Sequence, residues 1–117
     1  MVDKNRNILD AFLCSIDGLK ILFKEKAARR ELILVIFSIL YIFFMQPDKS
    51  LVIWLIVLPL IILSIEAINT AIEFICDKIT LEKSNKIKKA KDLGSAAIFI
   101  ALVAYGYVIL VDLSKLF

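Results

Sequence analysis

Glu66, Asn69, Thr70, Glu73 and Asp77 follow one another at steps of three, one, three and four residues. At helical spacing all five fall within an arc of about 100° on one face. Glu66 comes after an apolar run from Leu51 to Ile65 that only Pro59 and Ser64 interrupt. Its carboxylate therefore sits at or just inside the edge of a hydrocarbon layer, where an uncompensated charge costs up to about 2.5–3.5 kcal/mol at full depth. Carboxylate and amide oxygens are ligands for hard divalent cations, and Mg²⁺ in particular also takes phosphate oxygens. A helix end with ordinary solvated acids would carry the same residues, so the row admits both readings.

Further charges border the same membrane face. Glu25, Arg29, Arg30 and Glu31 precede one apolar run, and Lys91, Asp92 and Ser95 stand at the start of another. Each group alone reads as an interface anchor. Together they would ring one site with carboxylates for metal, cations for phosphate and access to lipid, a combination suited to phosphoryl transfer from a water-soluble donor to a lipid hydroxyl. The only glycines are Gly18, Gly94 and Gly106, so no glycine-rich phosphate loop is available, and metal and side chains must hold any nucleotide.

The elements that must position these groups are helices. With 61% hydrophobic residues gathered into blocks, the 117-residue chain has a membrane composition, and too little else to wrap the blocks in water. An all-α membrane protein of one domain, residues 1–117, is expected. From Ile8 to Phe23 apolar residues share one helical face opposite Asp10, Asp17, Lys20 and Lys24, the pattern of an amphipathic helix (about 7–24) lying on the membrane surface. Three membrane spans follow, at about 27–46, 50–76 and 92–112, the first closed by Gln46-Pro47-Asp48 and the second containing Pro59. Of fifteen Lys and Arg, all but Lys49 and Lys115 lie before the first span or between the second and third. The positive-inside rule then predicts a cytoplasmic N-terminus and an outside C-terminus. Gly94, Ala97, Ala101 and Ala104 make one face of the third span nearly smooth, which favours close helix approach and self-association of unspecified number.

Two cysteines, Cys14 and Cys76, and no histidine exclude a disulfide framework and a Cys/His metal centre. The opening thirty residues stay mixed and charged rather than leading into an apolar core, so no cleaved signal peptide is expected. Nothing calls for a nucleic-acid partner.

The run E-A-I-N-T-A-I-E from Glu66 to Glu73, then Asp77, then K-A-K-D-L-G-S-A-A from Lys89 to Ala97, resembles the bacterial integral-membrane diacylglycerol kinases and their undecaprenol kinase relatives. E-K-A-A-R-R-E from Glu25 to Glu31 is similar to that family's lead-in to the first span, and Ser15 with Gly18-Leu19 fits its surface helix. The resemblance covers nearly the whole chain. It implies a homotrimer in the bacterial inner (cytoplasmic) membrane, with MgATP as phosphate source and a membrane lipid alcohol as acceptor, at a site shared between protomers. Carried over, Glu66 would be the general base, Glu25 and Glu73 would hold Mg²⁺, and Asn69, Asp77, Lys91 and Asp92 would line the nucleotide and phosphate region. Arg29 and Ser95 would support the site near the lipid. The segment from Leu81 to Lys88 is more Lys-rich than the family pattern and lacks its occasional His, which bears on nucleotide contacts there. D-L-G-S-A-A points to diacylglycerol as acceptor, while I-N-T-A-I-E also occurs in the undecaprenol branch. A rival of another class is a small oligomeric cation channel or transporter, which would need a polar stripe through the full depth; Leu51 to Leu63 carries no charge.

Overall fold

A computed structural model describes residues 7–79 and 84–117. Among them there are four α-helices and no strand: α1 (Ile8–Leu22), α2 (Lys26–Met45), α3 (Lys49–Ile79) and α4 (Asn85–Ser114). Asn7 caps α1, its side-chain oxygen accepting from the Asp10 amide at 2.8 Å, which satisfies one of the orphan donors of the first turn. At the α1–α2 corner the Arg29 guanidinium Nη2 donates to the Lys24 carbonyl at 2.9 Å. Gln46 closes α2 in the left-handed region at φ 46°, its amide still bonded to the Ile42 carbonyl at 3.1 Å, and Pro47 prevents continuation. α3 runs unbroken through the buried Pro59. α4 begins at Asn85, about two turns ahead of the expected start of the third span, so Lys86, Lys88, Lys89 and Lys91 are helical. Residues 81–83 of the Lys-rich segment lie outside the described residues.

At 31 residues α3 is about 46 Å long, more than the roughly 30 Å of a hydrocarbon core. It and α4 are long and apolar enough to cross a membrane. The first turns of α2 carry Lys26, Arg29, Arg30 and Glu31, which shortens its uninterrupted apolar length.

α3 is the central element, with α2 and α4 packed on it. The buried core is Leu55, Leu58 and Ile62 of α3 with Tyr105 of α4, flanked by Leu34, Tyr41, Ile42, Ala101, Val108 and Ile109. These residues fill the middle of the bundle and the end toward the Gln46 turn, while Leu22, Ala28 and Cys76 are buried apart from them toward the other end. Many large apolar side chains nevertheless face outward, among them Phe43 at 71%, Ile53 at 60% and Phe99 at 67% exposure. An apolar exterior of that extent would aggregate in water and is satisfied by lipid, as expected of a membrane protein. The smooth stripe of α4 is divided: Gly94 is buried against Asn69 of α3, Ala101 borders the core, and Ala97 and Ala104 stay exposed.

Candidate functional site

Away from that core cluster, side chains of α2, α3 and α4 and of the corner before α2 surround a cavity of about 550 Å³. Glu25, the N-cap residue of α2, and Ala27, Arg30 and Glu31 form one wall. Glu66, Asn69, Thr70 and Glu73 of α3 form the second, and Ser95, Ile98 and Leu102 of α4 the third. Helical periodicity explains each wall: steps of three and four residues return to the same face.

Glu66 is 4% exposed, buried by the crossing of the three helices. The charges whose fields reach it are those of Glu31, Glu73, Arg30 and Glu25. Four carboxylates thus face one guanidinium, and the cavity favours cations. Asn69 stands between this cavity and α4. Its amide nitrogen donates to Glu73 Oε1 at 3.3 Å, while its buried Oδ1 has no hydrogen-bond partner among the described residues and lies against Gly94. The glycine is required there, since a Cβ on residue 94 would meet Oδ1 at 2.0 Å.

Of the residues singled out from sequence, Glu25, Arg30, Glu31, Glu66, Asn69, Thr70, Glu73 and Ser95 line the cavity. Asp77, Lys91, Asp92 and Arg29 do not. Asp77 pairs with Lys91 at 2.8 Å and Asp92 with Lys88 at 2.6 Å, both pairs exposed and outside the cavity, where the C-terminal part of α3 meets the N-terminal part of α4. Arg29 points to the α1–α2 corner, where its bond to Lys24 fixes the backbone next to Glu25. Arg30 and Glu31, which the sequence placed in the ring of charges around one site but gave no individual role, belong to the cavity wall. Their i, i+3, i+4 relation to Ala27 was a usable signal, but only the docking of α2 on α3 turns that face toward Glu66.

Thr70 opens onto a second space. An apolar groove of about 490 Å³ runs between α1 and α3, lined by Ser15, Gly18, Leu19, Ile21, Leu22, Ala67, Thr70, Ala71 and Phe74. Thr70 lines both the groove and the carboxylate cavity, so a polar head and an apolar chain of one molecule could occupy the two.

The donor set suits a hard divalent ion. Among the described residues no three candidate ligands stand together as a ready-made ion site. An ion that keeps several waters and takes one or two carboxylates together with substrate phosphate oxygens needs no such cluster.

Comparison with known proteins identifies the family. Residues 13–113 match the prokaryotic diacylglycerol kinase family. A diacylglycerol kinase of Haemophilus influenzae is 36% identical over 103 residues, covering 87% of this chain and 87% of that protein. One of a Sinorhizobium species is 36% identical over 111 residues, covering 92% and 81%, and one of Pseudomonas aeruginosa is 36% identical over 101 residues, covering 83% and 80%. Matched from α1 to the last turn of α4, the chain belongs to the prokaryotic diacylglycerol kinase family.

Proposed function

We propose that this chain is a lipid kinase that transfers the terminal phosphoryl group of ATP to a membrane lipid alcohol, diacylglycerol being the acceptor and phosphatidic acid the product. The observation that carries the reading is the meeting at Thr70 of a carboxylate-lined cavity with an apolar groove under α1. Such a junction holds an acyl chain in the groove while its hydroxyl end reaches Glu66.

In this reading the whole chain is one membrane domain. α2, α3 and α4 are three spans, α1 lies on the cytoplasmic surface of the inner membrane, the N-terminus is cytoplasmic and the C-terminus outside. Extension of α2 through Ala27 and Ala28 supports its span, and Lys20, Lys24 and Lys26 with the lysines of the 78–91 region support the orientation. Self-association as a homotrimer fits the exposed Ala97 and Ala104 of α4 and the wide apolar exterior.

Glu66 acts as general base. As the lipid oxygen forms its bond to the terminal phosphorus and the bond to the departing diphosphate breaks, the hydroxyl proton passes to the Glu66 carboxylate. Glu25 and Glu73 hold Mg²⁺, which when bound neutralises phosphate charge. Asn69 keeps Glu73 in place through its amide. Asp77, Lys91 and Asp92 extend the nucleotide and phosphate region beyond the cavity, and Arg29 and Ser95 support the wall near the lipid.

The test is direct. Purified chain incubated with labelled ATP, Mg²⁺ and either diacylglycerol or undecaprenol in mixed micelles should place label in phosphatidic acid. Labelling of undecaprenol alone would reassign the acceptor within the family, and labelling of neither lipid would overturn the kinase reading. The packed half of the molecule, filled by Leu55, Leu58, Ile62 and Tyr105, argues against a cation path along the full length of α3.

A further inference from the structure

The half of the molecule without the cavity is tied across by polar contacts that the phosphoryl-transfer reading does not use. Ser38 of α2 hydrogen-bonds the Tyr105 hydroxyl of α4, with Ser38 and Tyr105 both buried. The Tyr41 hydroxyl donates to Asp112 Oδ2 at 2.5 Å, and Asp112 is itself 8% exposed. Lys115, just past α4, pairs with Asp48 of the turn after α2 at 2.7 Å. All three join α2 or its turn to the far end of α4, although both helices pack chiefly on α3 rather than on each other. The carboxylate cavity lies at the other end of the same two helices, with Glu25, Arg30 and Glu31 on the α2 side and Ser95, Ile98 and Leu102 on α4.

We infer that the Tyr41–Asp112 hydrogen bond, seconded by Ser38–Tyr105, is a positioning device that fixes the splay of α2 against α4 and thereby the width of the cavity at their opposite ends. This rests on the kinase reading of the cavity. Tyr41 and Asp112 are positioning residues, distant from the reacting atoms.

The lever is a matter of helix geometry. Glu31 is ten residues from Tyr41, about 15 Å, and Ser95 is seventeen from Asp112, about 26 Å, at 1.5 Å per residue. A change of a few degrees at the clasp therefore moves the cavity walls by roughly 1–2 Å over such arms. Displacements of about 1 Å from remote changes cost up to about 100-fold in rate when they disturb reactive geometry. Between the clasp and the cavity α3 supplies a dry fulcrum, Leu55, Leu58 and Ile62, which transmits tilt rather than absorbing it. The buried acid requires the phenol, because Asp112 alone would be left unpaired, and removing the acid takes the acceptor from the half-buried Tyr41 hydroxyl.

The experiment combines kinetics with a distance. Spin labels are placed at the exposed Lys26 and Lys89, in a background of Cys14→Ala and Cys76→Ala, and labelled chain is diluted with unlabelled chain in nanodiscs so that each pair reports one protomer. Tyr41→Phe and Asp112→Leu should each broaden or lengthen the distance by roughly 1–2 Å and lower kcat per folded protein about tenfold at saturating ATP and lipid. The double variant should lose no more than either single one. Asp112→Asn, which keeps an acceptor for the Tyr41 hydroxyl, should restore both distance and rate, and that rescue separates positioning from a general loss of folded protein. An unchanged distance in Tyr41→Phe and Asp112→Leu, or a changed distance with wild-type kcat, would overturn the inference. A wild-type chain that phosphorylates no lipid, while the distance still responds to the clasp, would sink the kinase reading alone.

Discussion

Replacing Gly94 by alanine tests whether the contact between α3 and α4 governs the proposed nucleotide end of the site. A Cβ on residue 94 would stand 2.0 Å from Asn69 Oδ1, 3.1 Å from its Cγ and 3.7 Å from its Cβ. An ordinary contact needs more than 3 Å, so Oδ1 must retreat by over an ångström, and because three side-chain atoms are close the retreat is a rotation of the amide. That rotation carries the nitrogen away from Glu73, to which it donates at 3.3 Å. A side chain forced off its rotamer costs about 0.5–1.5 kcal/mol, and the lost hydrogen bond about as much again. The two together give about 1–3 kcal/mol, offset in folding stability by up to about 1 kcal/mol of helix propensity gained from glycine to alanine. Stability should therefore fall by about 0–3 kcal/mol, and in the folded protein the displaced Asn69 and Glu73 should lower kcat/KM for MgATP by about 5- to 150-fold. Initial rates across ATP and Mg²⁺ concentrations, normalised to folded protein, provide the measurement. Gly106→Ala is the control, since nothing lies within 4 Å of a Cβ there, and its activity should match wild type. Wild-type kinetics in a folded Gly94→Ala protein would show that Asn69 and Glu73 are not held by this contact, or do not act in turnover.

Glu66→Gln removes the base while keeping shape, and should leave assembly intact while lowering kcat by about 100- to 10,000-fold; ordinary turnover in that variant would remove Glu66 from the role. Glu73→Ala should raise the Mg²⁺ and ATP concentrations needed for half-maximal rate more than it changes maximal rate, and an unaltered Mg²⁺ dependence would contradict its place as a ligand. The Lys115 ammonium, hydrogen-bonded to Asp48, holds that carboxyl below the usual carboxylate range. With the folded value depressed, the pair contributes fully above the unfolded value of about 3.9, and its contribution disappears as pH falls through the folded one. Asp48→Asn should thus lower the unfolding midpoint slightly near neutrality and flatten its acid limb between about pH 5 and 2, where the two proteins converge; identical midpoints and acid limbs in both proteins would refute the pairing.

Much of the site was legible before any coordinates. The steps between Glu66, Asn69, Thr70 and Glu73 can be satisfied only by one helix face, and an acid at the end of a long apolar run has few bland explanations. Helical period and hydrophobic block length are local properties, so α1 to α4 and the shared face follow from the chain itself. What stayed hidden depends on which faces meet. Arg30 and Glu31 became cavity residues because α2 docks on α3 with that side inward. Asp77, Lys91 and Asp92 have the residue types the site needs, yet in the structure they pair outside the cavity, as exposed ions close to one another do. The clasp of Tyr41 with Asp112 joins residues 71 apart in sequence, and no periodicity encodes it.

By itself the sequence determined the helices, their apolar lengths and the polar face of α3, because covalent order and a 3.6-residue period suffice for these. Tertiary structure alone decided that Gly94 makes room for Asn69, that Thr70 divides a polar cavity from an apolar groove, and that one half of the bundle is dry and clasped while the other is hollow. Those are properties of two surfaces in contact, and a single helix carries only one of them.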